Sequence, residues 1–106
     1  MRMLIITTLV ATSLAGAANA GVSNFQYLEA ARCRGLASSE NLGTLDTAAI
    51  DAFLRREGAS RTLAVKASAQ KKMSEAVKAA AAADGAKKSK LLSEREGVCA
   101  AYINGG

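Results

Sequence analysis

LAVKASAQKKMSEAVKAAAAA, residues 63–83, sets the fold class of this chain. The stretch holds no glycine or proline, and its many Ala and Lys residues favour a helix over a strand. Candidate core positions recur along it at spacings of three, four or seven residues: Leu63, Gln70, Met73, Val77 and Ala80. The pattern predicts an amphipathic helix that follows a Ser60 cap. Its core face is narrow and rich in alanine, so a neighbouring helix can pack closely against it.

A further helix is predicted after Asp84 and Gly85, which offer a turn. It extends from Ala86 to Ile103 and includes Gly97, at a cost of up to about 1 kcal/mol relative to Ala. Its apolar residues follow the helical spacing: Leu91, Leu92, Val98, Cys99, Tyr102 and Ile103. If the chain does not turn at Gly85, this helix and the preceding one form a single rod.

Two shorter helices are predicted on the N-terminal side. Ser23 and Gln26 have the spacing of a capping box, so the first helix begins at Ser23 and ends near Ala37. The second begins at Asp46, which can cap it, and ends at Gly58. Its core face consists of Ile50, Phe53 and Leu54. Because the chain also lacks proline, the sequence predicts an all-α fold, a small bundle of three to four helices.

The first twenty residues have the features of a secretory signal peptide. Arg2 supplies the positive start, residues 3–15 are mostly apolar, and Ala18 and Ala20 are the small residues of a cleavage site after Ala20. A retained membrane anchor is the alternative, but the apolar run is shorter than the roughly 20 residues that cross a bilayer. Residues 21–106 are therefore predicted to be one exported helical domain, periplasmic or secreted, without a transmembrane segment.

Cys33 and Cys99 are the two cysteines of the chain. In an exported protein such a pair predicts one disulfide, which here joins the first helix to the last. Closing the loop of 66 residues stabilises the fold by about 4 kcal/mol on the chain-entropy estimate. A redox-active pair is the alternative, although catalytic pairs usually lie close together in sequence, so that one thiol can attack its neighbour's bond.

Positive charge is concentrated in the C-terminal half of the chain. The 14 Lys and Arg outnumber the 9 Asp and Glu for a net charge of +5, and most of the basic residues follow residue 60. Six lysines form a candidate anion-binding surface: Lys71, Lys72, Lys78, Lys87, Lys88 and Lys90. Anionic lipid or envelope polysaccharide is the ligand expected for it, and a solvated face that maintains solubility is the alternative. Nucleic acid is not expected as the partner of an exported protein.

The sequence predicts neither an enzyme nor a metal protein. It contains no histidine, which removes the usual general base and the commonest metal ligand. With both cysteines oxidised no thiolate cluster remains for zinc, and the carboxylates do not have the spacing of a calcium loop. No catalytic residue, cofactor or metal site is therefore predicted, and the few aromatic residues are expected in the core.

Two charged residues interrupt the faces that carry the cysteines. Glu29 lies one turn before Cys33, and Arg95 lies one turn before Cys99. We expect both at the rim of the core with their charged ends in water. A salt bridge between them is the alternative, provided that the two helices run parallel.

The absence of predicted catalytic groups and the small, alanine-rich core favour an exported protein-interaction module. Such a module, an adaptor, an inhibitor or a chaperone-like protein, binds another envelope protein through a helix face. The alternative is a basic helical module that docks on anionic lipid or polysaccharide of the envelope. A helical spacer within a larger envelope assembly is a third possibility.

Overall fold

The computed structural model describes residues 21–106, in which every regular element is a helix. The five helices are α1 (Asn24–Ala37), α2 (Ala48–Gly58), α3 (Leu63–Ala82), α4 (Gly85–Glu96) and α5 (Cys99–Ile103). The all-α prediction is confirmed, with two helices where one was predicted at the C-terminal end. The predicted signal peptide, residues 1–20, lies outside the described residues.

The helices begin at or near the predicted caps. The capping box of α1 is confirmed, since the Ser23 hydroxyl accepts the Gln26 N–H at 3.1 Å and the Gln26 side chain accepts the Ser23 N–H at 2.9 Å. Thr47 occupies the N-cap position of α2, and the carboxylate of the predicted cap residue, Asp46, accepts the Ala48 N–H at 2.8 Å. Thr62 rather than Ser60 caps α3, because its hydroxyl accepts a backbone N–H of the first turn.

The chain turns between α3 and α4, which are separate helices rather than one rod. Gly85 has a φ of +51°, a left-handed conformation that glycine adopts more readily than other residues. The Asn41 side-chain amide donates to the carbonyl oxygens of Ala80 and Ala83 at 2.8 and 2.7 Å. A side chain from the loop after α1 thus donates to carbonyl oxygens at the end of α3, of which that of Ala80 also accepts the Ala83 N–H.

The helix predicted from Ala86 to Ile103 is interrupted. α4 ends at Glu96, Gly97 has non-helical dihedral angles, and α5 begins at Cys99. Glycine is a weak helix former, and the break allows α5 to pack against α1 and α2. The prediction that Gly97 lies inside a helix is therefore wrong.

α1 and α3 pack together along a stripe of small residues. The buried residues of α3 are three alanines: Ala69, Ala76 and Ala80. Three larger side chains predicted for its core stripe are exposed: Leu63, Gln70 and Val77. At the level of Met73, Gly35 of α1 lies so close to α3 that a Cβ at position 35 would be 2.5 Å from the Met73 carbonyl oxygen. At such a separation only small side chains fit between the helices. Leu63, Gln70 and Val77, which are spaced seven residues apart, lie on a neighbouring side of α3 and face outward.

The Cys33–Cys99 disulfide joins α1 to α5, as predicted. The two Cα atoms are 5.3 Å apart, and both residues are fully buried. Around them lie the other members of the main core cluster: Leu36, Leu42, Ile50, Ala76 and Ala80. Alanine buries little apolar area, so the covalent link is a large part of what holds the helices together.

α2 packs against α1 and α5 through its predicted face. Two residues of that face are buried and one is half-buried: Ile50, Phe53 and Leu54. The Phe53 ring lies 5.8 Å from the ring of Tyr102 in α5. On the side facing α1, the Arg34 guanidinium donates to the Asp51 carboxylate at 2.6 Å. α2 is thus tied to both neighbours.

Arg95 is buried, contrary to the prediction that its charged end lies in water. Only 7% of its surface is exposed, and its guanidinium donates to the carbonyl oxygens of Leu36, Leu42 and Gly43 at 3.3, 2.8 and 2.5 Å. The salt bridges among residues 21–106 do not include one with Glu29. The carbonyl oxygens at the end of α1 and in the loop after it supply the acceptors that a buried guanidinium requires.

Candidate functional site

An apolar groove opens on the surface beside α1, α3 and the junction of α4 and α5. It has a volume of about 620 Å³ and is lined by Phe25, Leu28, Glu29, Arg32, Lys72, Glu94 and Val98. Phe25 is 72% exposed and Val98 is 57% exposed. Its apolar residues are Phe25, Leu28 and Val98, and we call the whole feature the apolar groove. Two large apolar side chains are thus left in water within one concavity.

The sequence pattern assigns Phe25 and Val98 to the core, and both assignments are wrong. Tyr27, two residues after Phe25, is buried against α3, and residues two apart in a helix point in different directions. Phe25 therefore faces outward. Val98 falls in the junction between α4 and α5, where the helical spacing used for the prediction no longer applies.

An ion pair between α1 and α4 forms one wall of the groove. Arg32 Nε donates to Glu94 Oε2 at 2.6 Å, and Arg32 Nη2 donates to Glu94 Oε1 at 2.9 Å. This bidentate geometry fixes the orientation of both side chains, which are half-buried. The hydrogen bonds to Glu94 raise the pKa of Arg32, although burial opposes the shift. The residues are 62 positions apart, so no local sequence pattern predicts their contact.

A second groove continues from this ion pair along α4. It has a volume of about 330 Å³, shares Arg32 and Glu94 with the apolar groove, and is otherwise lined by Ala79, Ala82, Ala83, Lys87, Lys90 and Leu91. We call Lys87 and Lys90, both exposed, the basic end. The two grooves meet at the Arg32 to Glu94 pair, and together we call them the cleft.

The fold divides the six lysines predicted as one anion-binding surface. Lys72 lines the apolar groove, and the basic end contributes two more lysines to the cleft. Lys71 and Lys78 lie two turns apart on the side of α3 opposite its buried alanines. Lys88 is half-buried on α4, outside the lining of the cleft. Every salt bridge within the described part of the chain uses an arginine as its cation, so the lysines keep their charges for solvent or a partner.

Another groove, about 590 Å³ in volume, lies beside Arg95. Arg95 Nε is buried without a hydrogen-bond partner, but the Nη atoms of the same side chain already donate to carbonyl oxygens. Asp46 and Glu96 also line this groove and bring two negative charges to its one cation. This groove therefore lacks the positive charge that would attract an anion.

Two titratable groups near the core have shifted pKa values. Burial and the neighbouring Glu29 carboxylate raise the pKa of Tyr102. Burial opposes a lower pKa at Asp51, but hydrogen bonds from Arg34 and Thr47 outweigh it and lower the pKa of that carboxyl. Across residues 21–106, no group of three or more Asp, Glu or Cys side chains is placed to hold a metal ion.

No family model matches this chain, and no curated protein or solved structure matches it either. None of the helices formed by residues 21–106 combines the length and apolarity needed to cross a membrane. The function is therefore inferred from the cleft.

Proposed function

We propose that this protein is an exported, non-catalytic interaction module that binds another envelope protein through the cleft. The exposure of Phe25 and Val98 within one groove carries this proposal. Scattered apolar residues on a surface are ordinary, whereas apolar residues gathered in a concavity with a charged rim are typical of binding sites. The partner would bury these side chains, as an adaptor, an inhibitor or a chaperone-like protein requires.

Contacts within the protein itself fix the shape of the groove without a partner. Phe25 lies in the first turn of α1, which the capping box fixes, and the disulfide attaches α1 to α5 near Val98. The Arg32 to Glu94 ion pair links α1 to α4 across the same surface. A preformed groove loses little conformational entropy on binding, which favours affinity. Export is supported by the leader-like residues 1–20 and by the disulfide, which is a feature of oxidising compartments.

Co-purification from cells that express the protein naturally tests this proposal. Phe25→Ser removes the most exposed large apolar side chain of the groove, and Leu63→Ser is the matched control because Leu63 is 82% exposed and lies outside the cleft. We expect a stoichiometric envelope protein to remain bound to wild type and to Leu63→Ser, and to be lost from Phe25→Ser. Equal retention by both variants would contradict binding through the cleft.

A second candidate function is docking on anionic lipid or polysaccharide. It is supported by the exposed Lys71 and Lys78, which lie on the side of α3 opposite its buried alanines and outside the lining of the cleft. Binding of this kind weakens steeply as salt is added. Retention on anionic vesicles that is lost in Lys71→Glu/Lys78→Glu and at high salt would support it, and retention independent of both would count against it.

A further inference from the structure

The cleft changes from apolar to basic along its length. Glu94 lies at the boundary, with Val98 on one side and the basic end on the other. Lys87 precedes Glu94 by seven residues in α4, which corresponds to about 10 Å along a helix axis. A partner that occupies the whole cleft must therefore match an apolar surface on one side of Glu94 and a basic surface that extends about two helical turns on the other side.

The net charge of the cleft resides at the basic end. Arg32 and Glu94 satisfy each other through two hydrogen bonds, so this pair offers no net charge to a partner. Lys72 and Glu29 both line the apolar groove, and their opposite charges offset each other there. Lys87 and Lys90 take part in none of the salt bridges found within residues 21–106. A complementary partner must therefore bring negative charge to this end.

We infer that the cleft recognises an acidic amphipathic helix of the partner protein. Apolar side chains on one face of that helix occupy the apolar groove, and carboxylates about two turns away face Lys87 and Lys90. This inference rests on the proposed function and specifies the chemistry of its partner. A protein segment is favoured over a membrane because the two lysines line a concavity, which a helix can enter and a flat bilayer surface cannot.

Three synthetic helical peptides test the inference with the full oxidised chain. All three carry the same leucine stripe, and their flanking positions are Glu, Gln or Lys. We expect fluorescence anisotropy to show the tightest binding for the Glu peptide. Lys87→Glu/Lys90→Glu should weaken this binding by about tenfold and favour the Lys peptide, because two attractive contacts become repulsive. Lys71→Glu/Lys78→Glu makes the same charge change outside the lining of the cleft and should weaken binding much less. Circular dichroism checks that each variant is folded.

The outcomes separate this inference from the proposed function. Equal affinity for all three peptides, with binding abolished by Phe25→Ser, would overturn the acidic preference and leave the interaction module intact. No binding of any peptide would also overturn the inference, while co-purification would judge the proposed function independently. If vesicles of anionic lipid bind and Lys87→Glu/Lys90→Glu releases them, while no peptide binds, the basic end serves a membrane and the inference is wrong.

Discussion

Gly35 of α1 lies directly against the Met73 carbonyl of α3. A Cβ at position 35 would be 2.5 Å from that oxygen and 2.8 Å from the Ala76 Cβ, distances that real side chains do not reach without a shift of the helices. This contact sets the separation of α1 and α3 and, through it, the choice of alanine for the buried stripe of α3.

Gly35→Ala tests this close contact. We expect a loss of about 1 to 3 kcal/mol in the free energy of unfolding, because the added methyl group overpacks a backbone that cannot move freely. Urea unfolding followed by far-UV circular dichroism measures the loss. Ser74→Ala, on the exposed side of α3, is the control and should change stability by less than about 0.5 kcal/mol. An unchanged stability for Gly35→Ala would show that the helices are farther apart than described.

Arg95→Met tests the buried guanidinium. The variant keeps most of the apolar stem and leaves carbonyl oxygens of Leu42 and Gly43 without their donor, so we expect a loss of about 2 kcal/mol. Hydrogen exchange should accelerate for the amides of residues 36–43. Arg55→Met, at an exposed position of α2, should show neither effect. Equal exchange in the two variants would mean that Arg95 does not hold this loop.

Removal of the disulfide should destabilise the fold severely. In Cys33→Ala/Cys99→Ala the 66-residue loop is no longer closed, and we expect a loss of about 4 kcal/mol, to be compared with the roughly 5 to 15 kcal/mol of a whole domain. Chemical unfolding of the double variant beside oxidised wild type measures it. A loss below about 1 kcal/mol would show that the alanine-lined core is sufficient by itself.

The Arg34 to Asp51 contact predicts an acid-dependent part of stability. The lowered pKa of Asp51 in the folded state means that its contribution is complete above the unfolded pKa of about 3.9 and is lost as pH falls through the folded value. Because the side chain is partly exposed, Asp51→Asn should cost only about 0.5 kcal/mol at pH 7 and almost nothing near pH 2. Urea unfolding at pH 7 and at pH 2 measures this cost, with Glu40→Gln at an exposed position as the control. A difference between Asp51→Asn and wild type that persists at pH 2 would contradict the prediction.

Phe25 should matter little for folding. Because the side chain is largely exposed, Phe25→Ser should alter the free energy of unfolding by less than about 0.5 kcal/mol. Phe53→Ala, at a buried position of α2, should cost about 3 kcal/mol or more. Thermal or urea unfolding of both variants provides the comparison. A large loss in Phe25→Ser would mean that this ring belongs to the core and that the apolar groove does not exist as described.

Local signals in the sequence predict much of this fold. The capping box at Ser23, the turn at Gly85 and the core face around Ile50 depend on residues within one or two turns of each other, and the structure contains all three. The pairing of Cys33 with Cys99 follows from there being two cysteines in the chain.

Contacts between distant segments could not be predicted in the same way. Large apolar residues such as Leu63 are predicted in the core because size is the visible signal, whereas the buried side of α3 carries alanines, one of which lies beside Gly35. The cleft depends on the Arg32 to Glu94 pair and on the outward direction of Phe25, which follow from how α1, α3 and α4 pack. The sequence predicts the lysines as a group, but only the packing separates the basic end from the side of α3 that carries Lys71 and Lys78.

Site-specific photo-cross-linking in the natural host tests the central claim most directly. A photoreactive phenylalanine analogue replaces Phe25 in one variant and the exposed Leu63, outside the cleft, in another. We predict one discrete adduct from position 25, formed with an acidic helical segment of an envelope protein and weakened by Lys87→Glu/Lys90→Glu, and no such adduct from position 63. The same adducts at both positions, or none at position 25, would contradict the account of the cleft as a docking site.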